Sequence, residues 1–333
     1  MEKISLVVTS ISKPNQVLNA LARGCVKNNW DFILVGDVSS PKDFKIDGCE
    51  YFDIERQIAA GFSISKICPV RHYARKNIGY LVAIRKGAAI IVETDDDNIP
   101  YDEFWQERQR IKEARSLNKT GWVNAYQYFS NANIWPRGLP LECIRPSHGS
   151  KEELSQLEQL DCPIQQGLAD DNPDVDAVYR LVMPLPIKFD KAPDVALGKG
   201  TWCPFNSQNT TWWRDAFPLM YLPAYCSFRM TDIWRSFITQ RIAWENNWSV
   251  LFHHATVYQE RNEHNLMKDF ADEVPGYLNN EKIRKILSEI KIKAGEGNIP
   301  DAMRSCYGRL IEEQVMDMKE MVLLEAWLTD LKG

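Results

Sequence analysis

With 333 residues, 44% of them hydrophobic and 26% charged, the chain has material for one large α/β domain, with or without an appendage. A net charge of −5 excludes bulk nucleic-acid binding, so any anionic ligand must be met by a local basic cluster. No apolar run approaches the roughly 18 residues that cross a bilayer, no signal peptide precedes Ile4, and the eight cysteines lack any CxxC spacing; together these predict a soluble cytoplasmic protein without a zinc site.

Residues 4–10 read as a strand, 16–28 as a helix and 31–37 as a second strand, the pattern of a parallel sheet with right-handed crossovers. Ligands in such sheets bind beyond the carboxyl ends of the strands, where Thr9-Ser10 and Gly36-Asp37 fall. Asp37 could accept a nucleoside hydrogen bond or simply cap a turn. No GxGxxG or GxxxxGK[ST] follows either strand, so the dinucleotide and Walker fingerprints are missing.

The stretch from Cys68 to Gly87 reads as one helix with Arg71, Arg75 and Lys76 in its first turns. The helix dipole disfavours cations there, and a bound diphosphate would reverse that penalty. After it, Ala88–Val92 reads as a buried strand that runs into Glu93 and then Asp95-Asp96-Asp97. Alternation along an extended chain sends Asp95 and Asp97 one way and Asp96 the other. Like charges crowded at a strand end call for a cation or hydrogen bonds, and a hard divalent ion shared with substrate phosphates answers that need; a solvated acidic loop is the plain alternative.

Further on, 101–118 reads as a polar helix, Arg137 as a guanidinium between Pro136 and Gly138, and 145–163 as an exposed insertion. Residues 165–181 read as an ordered acidic loop before the next element. The amides Asn206, Gln208 and Asn209 lie among aromatics, as at sugar or base edges, although turn chemistry explains them nearly as well. The 11 Trp and 12 Tyr add core filling and platforms for sugar rings. A helix begins at Thr231 or Asp232, where Asp232 is either its N-cap or a carboxylate base flanked by Arg229 and Arg235. Helices are expected over 281–294 and 301–331, the second with an apolar stripe from Met303 to Leu328 that docks on the main domain or forms a dimer seam.

Six pieces in order (75–80, 94–98, 135–140, 174–181, 204–210 and 232–235) together resemble the STELLO-type glycosyltransferases, known from plant Golgi proteins, over about residues 4–265. The resemblance implies a GT-A fold, an α/β nucleotide-binding sandwich, over residues 1–275, with 276–333 as a helical extension. It implies an Asp-x-Asp motif, here Asp95, Asp96 and Asp97, holding Mn2+ or Mg2+ against a nucleoside diphosphate sugar, with a UDP-sugar favoured. Thr9, Ser10, Asp37, Arg71, Arg75, Lys76, Asp95 and Asp96 are then the donor set, and Asp95, Asp97 and His264 the metal set. Asn206, Gln208, Asn209, Arg229 and Arg235 face the acceptor or sugar, and Asp232 deprotonates the acceptor hydroxyl in an inverting displacement, a retaining route staying open.

The acceptor is expected to be a glycan or lipid-linked hydroxyl in cell-surface polysaccharide synthesis. Plant members carry a membrane anchor; its counterpart is not found here, so a cytoplasmic protein, or one peripheral to the inner face of a membrane, is expected. A nucleotide-sugar mutase and a non-catalytic interaction protein docking through 301–331 are the rival readings.

Overall fold

The computed structural model describes residues 2–147, 154–260 and 265–332. The chain opens with β1 (Ile4–Thr9), α1 (Gln16–Asn28) and β2 (Asp31–Val35), as the apolar pattern predicts. Asn15 caps α1 by accepting from the Leu18 amide, and Asn29 ends it in the left-handed region at φ 57°. Then come β3 (Glu50–Phe52), α2 (Ile54–Ala59), α3 (Ser63–Ile67), α4 (Lys76–Arg85) and β4 (Ile90–Thr94).

The helix expected over 68–87 is therefore shorter at its front. Residues 69–72 form a loop, with Arg71 itself at φ 55°, so Arg71 and Arg75 do not share a helix face. In α4, Gly79 lies where a Cβ would come within 2.6 Å of Val7 and 2.7 Å of Val35. Its missing side chain lets the helix press directly onto β1 and β2.

After β5 (Asn98–Pro100), the region expected as a polar helix is a 3-10 turn over Asp102–Trp105 and β6 (Ile111–Leu117). Next are β7 (Gly121–Trp122), α5 (Leu141–Ser147), β8 (Leu154–Asp161) and β9 (Ile164–Asp170). Part of the expected exposed insertion, residues 154–161, is thus a strand, because β8 pairs along β6 from Asp161↔Ile111 to Leu154↔Leu117. Pairing with a neighbouring strand, invisible to local pattern, decides both segments. Residues 148–153 of that insertion lie outside the described residues.

The chain continues through α6 (Ala177–Val182), β10 (Val195–Leu197), β11 (Thr201–Trp202), β12 (Asn209–Trp213), α7 (Thr231–Ala243) and β13 (Val250–Gln259). It finishes with α8 (Leu266–Glu289), α9 (Ile299–Glu312) and α10 (Lys319–Asp330). Among the described residues, eleven strands form one sheet in the order β3-β2-β1-β4-β12-β9-β13-β10-β6-β8, with β5 on β13. The first four strands are parallel, β12 runs against both β4 and β9, and β13 is parallel to β9. This is a Rossmann-like GT-A sheet, and its crevice opens at the carboxyl ends of β1, β2 and β4.

The boundary expected at residue 276 falls inside α8. One hydrophobic core joins sheet residues such as Val7 and Ile33 to Met303, Tyr307, Leu324 and Trp327. Glu320, buried in α10, accepts from the Tyr221 hydroxyl and the Ala224 and Tyr225 amides. Asp330 accepts from the Ser63 and Ile64 amides. The expected long last helix is two, and its apolar stripe docks on the main body; Met318, at 75% exposure, is the member left outside.

Candidate active site

A cleft of about 510 Å³ lies at the carboxyl ends of the parallel strands. Thr9, Ser10, Gly36, Asp37, Asp95, Asp96, Asp97, Gln208 and Gln259 line one part of it. Arg71, His72, Tyr73, Arg75, Arg137, Asp174, Arg180, Phe228, Arg229 and Asp232 line the rest.

The acidic triplet lies in a turn just after β4, and its three members take different partners. Asp96 turns back to accept from the hydroxyls of Ser10 and, at 3.0 Å, Ser12, which ties the loop after β1 to the end of β4. Asp95 accepts from the Tyr73 hydroxyl at 3.0 Å and lies 3.7 Å from the Lys76 ammonium. Asp97 accepts from the Gln259 amide at 3.0 Å. Desolvation raises the Asp95 carboxyl to about 7 although 31% of its side chain still meets solvent; Lys76 pulls it down and the charge of Asp97 pushes it further up.

Among the described residues no cluster of three or more acidic, histidine or cysteine side chains could hold a metal ion. A cation here would find two carboxylates, Asp95 and Asp97, and take its remaining oxygens from a ligand's phosphates, the manner in which Mg2+ is usually bound. The donor set fits such a shared site. His264, expected as a further ligand, lies outside the described residues.

The basic residues behave differently from one another. Lys76 is fully buried and donates to Thr94 O at 3.0 Å, Ser207 O at 3.3 Å and the Tyr73 hydroxyl at 2.8 Å. Burial lowers its proton affinity, with Asp95 and Glu93 holding it up. It organises the floor beneath the triplet and does not line the cleft, a correction to its place in the donor set. Arg75 is bound through Nε to Gln57 and through Nη1 to Cys68 O, yet its buried Nη2 has no partner among the described residues. Arg71 is exposed at the mouth and makes no hydrogen bond or ion pair among the described residues. Its left-handed backbone is uncommon for a side chain of this kind and marks a position held by its surroundings. Asp37 uses one oxygen on the Val38 amide and the other, at 3.0 Å, on the His72 amide, so it fastens the loop that carries Arg71. It is a loop anchor, and the nucleoside hydrogen bond expected of it would have to share those oxygens.

Opposite stands a group that the sequence offered only in fragments. Arg137 donates to Asp174 through Nε at 2.7 Å and Nη2 at 2.8 Å, and Nη2 also lies 3.1 Å from both oxygens of Asp232. Gly138, at φ 93° and with Ile233 2.4 Å from where a Cβ would sit, permits the close turn that aims Arg137. Burial works to raise the Asp232 carboxyl, but Arg137 and Arg235 outweigh it, and the group is held below the usual carboxylate range. The Ser207 amide adds a bond at 3.2 Å. A carboxylate so bound is a poor proton acceptor, which weakens the expectation that Asp232 is a general base.

Three residues expected at the acceptor are structural instead. Arg235 is buried, paired with Glu93 at 2.9 Å and stacked 5.0 Å from the Trp212 ring. The Asn206 side chain accepts from the Gln208 amide, and that of Asn209 donates to Leu168 O and the Thr256 hydroxyl. Of that set, Gln208 and Arg229 reach the cleft, and Arg229 is steered by Glu273 of α8 at 2.9 Å. No tryptophan lines the cleft; Tyr73, His72 and Phe228 supply its rings, the last two meeting edge-on at 5.5 Å. Sequence reasoning missed Tyr73, Asp174, Arg180 and Gln259. Asp174 and Arg180 lie in a quoted motif, but nothing local shows that they converge with Arg137.

A GT-A sheet whose crevice brings two carboxylates beside Arg71 and the unpartnered Nη2 of Arg75 defines a class of α/β protein suited to diphosphate-bearing ligands. Comparison narrows this class. Residues 229–333 match the model for the STELLO glycosyltransferases. Two Arabidopsis thaliana proteins align over 98% of the chain, "Probable glycosyltransferase STELLO2" at 28% identity and "Probable glycosyltransferase STELLO1" at 27%. The chain is thus similar to STELLO-type proteins, and it spans 44% of the length of these curated relatives. A solved structure titled "Crystal Structure of a Mycobacterial Protein" aligns over 85% of this chain and 74% of its own, at 12% identity and a TM-score of 0.44, too low a likeness to argue from. No described helix is long and apolar enough to cross a membrane.

Proposed function

We propose that this chain transfers a sugar from a nucleoside diphosphate sugar, a UDP-sugar in the first instance, to an acceptor hydroxyl with the help of Mn2+ or Mg2+. The observation that carries the reading is the meeting, in one cleft, of Asp95 and Asp97 with Arg71 and the unpartnered Nη2 of Arg75. Carboxylates and guanidinium groups side by side are what a metal–diphosphate pair requires. When bound, the divalent ion supplies positive charge against the departing diphosphate. Arg71 and Arg75 add donors to the same oxygens. The relatives' names support the class of reaction.

Asp232 and Asp174, both bound by Arg137, accept hydrogen bonds from hydroxyls of the sugar or acceptor in this reading. The pairing of Asp232 also favours a second reading of the stereochemistry. With its proton affinity depressed, the acceptor proton passes to the leaving diphosphate oxygen on the same face, and configuration is retained; if Asp232 takes it, configuration inverts.

Thermal shift with UDP, GDP and CMP, with and without Mn2+, tests the core of the proposal. A rise in melting temperature that needs both a nucleoside diphosphate and the metal, and that Asp97→Asn removes, is expected. No shift with any pair would sink it. Asp232→Asn then separates the stereochemical readings: near wild-type turnover points to retention, loss of turnover to a base.

A further inference from the structure

Apolar side chains border the cleft. Of the fifteen large hydrophobic side chains the described residues expose, five lie in the cleft wall or beside a residue of it. Ile11 and Phe228 line the cleft itself, at 61% and 51% exposure. Val38 sits between the lining residues Asp37 and Ser39, Val70 precedes Arg71, and Leu181 follows Arg180. Ile11, Val38 and Val70 come from three separate loops, after β1, after β2 and before α4.

Each of the first two loops also carries an exposed lysine. Lys13 follows Ile11 by two residues and Lys42 follows Val38 by four, and neither has a hydrogen-bond or ion-pair partner among the described residues. The acidic groups nearby are mostly engaged. Asp37 is bound to the Val38 and His72 amides, and Asp96 to Ser10 and Ser12, leaving Asp43 as the exposed anion beside Lys42.

We propose that this rim seats on an anionic lipid bilayer, with Ile11, Val38, Val70 and Phe228 entering the headgroup region and Lys13 and Lys42 meeting lipid phosphates. Apolar side chains interleaved with cations make up the composition of surfaces that lie in a membrane interface. The arrangement favours a bilayer over a folded partner. The apolar residues ring an opening instead of forming a continuous face, and a rigid protein seated on them would stop the cleft. A fluid surface fills the gaps between loops and still presents a membrane-held hydroxyl to the opening. That last step rests on the proposed sugar transfer; the docking itself does not.

The test is sedimentation of the full chain with vesicles of phosphatidylcholine, with and without phosphatidylglycerol, in the absence of nucleotide. Binding to the anionic vesicles alone, weakened by salt, is expected. Lys13→Gln and Lys42→Gln should each reduce partitioning about fivefold. Ile11→Ser combined with Val70→Ser should reduce it roughly tenfold or more. Unchanged melting temperatures of the variants keep the comparison clean. No association with anionic vesicles, or association that all these variants leave intact, overturns the proposal. Because no nucleotide is present, either result stands apart from the outcome of the nucleotide screen.

Discussion

Single side chains in this protein owe their chemistry to what surrounds them. Arg137 is buried between Asp174 and Asp232, so removing it leaves two carboxylates without their cation. Arg137→Met should therefore cost about 3–5 kcal/mol in urea unfolding, far more than the change in size would. Asp176 makes a different case. It caps α6 through the Tyr179 amide and accepts from the Trp135 indole, yet burial drives its carboxyl up to about 6. A folded value above the unfolded one means that the contribution is fully present below the ordinary value near 3.8 and is lost as pH rises through 6. Compared with Asp176→Ser, which keeps a capping oxygen, the wild type should gain relative stability of up to ~3 kcal/mol between pH 8 and pH 4. Urea midpoints of the pair at the two pH values measure this; a gap that does not move with pH rules it out.

At the scale of elements, the C-terminal helices act as part of the site's scaffold. Helix α8 sends Glu273 to Arg229 and to the Ala177 amide, thereby fixing a cleft cation and the start of α6 together. Helix α10 anchors the segment before α7 through Glu320 and packs Trp327 against Tyr221, with its indole donating to Pro218 O at 3.0 Å. Trp327→Ala should cost about 3–5 kcal/mol, read as a lower urea midpoint. A mild effect would mean that α10 is dispensable. The same packing removes the docking helix on which the interaction-protein reading relied, since most of its stripe is already covered.

For the whole molecule, a core cluster shared by the sheet and the C-terminal helices predicts one cooperative transition. Calorimetry should show a single peak with equal calorimetric and van't Hoff enthalpies, and two resolved peaks would restore the separate extension expected after residue 275. The sheet order, with the parallel strands β3-β2-β1-β4 beside the reversed β12, brings four loops to one end, and that is why donors, carboxylates and apolar rim share a single opening.

The residues alone determined the first βαβ unit and the buried strand that runs into Asp95-Asp96-Asp97, because a period of two or 3.6 is a local property of the chain. Strands β6 and β8 could not be read that way; their polar faces make sense only through pairing, β8 as the edge strand on β6 and β6 between β8 and β10. The fate of the cations was equally hidden. Arg71 and Lys76 are near neighbours in sequence, yet one is exposed at the mouth and the other buried beneath the floor. Arg137, Asp174 and Asp232 meet only because the loop holding the first, the turn before α6 and the start of α7 converge. Charge, unlike periodicity, takes its meaning from distance in space, and only the tertiary structure sets that distance.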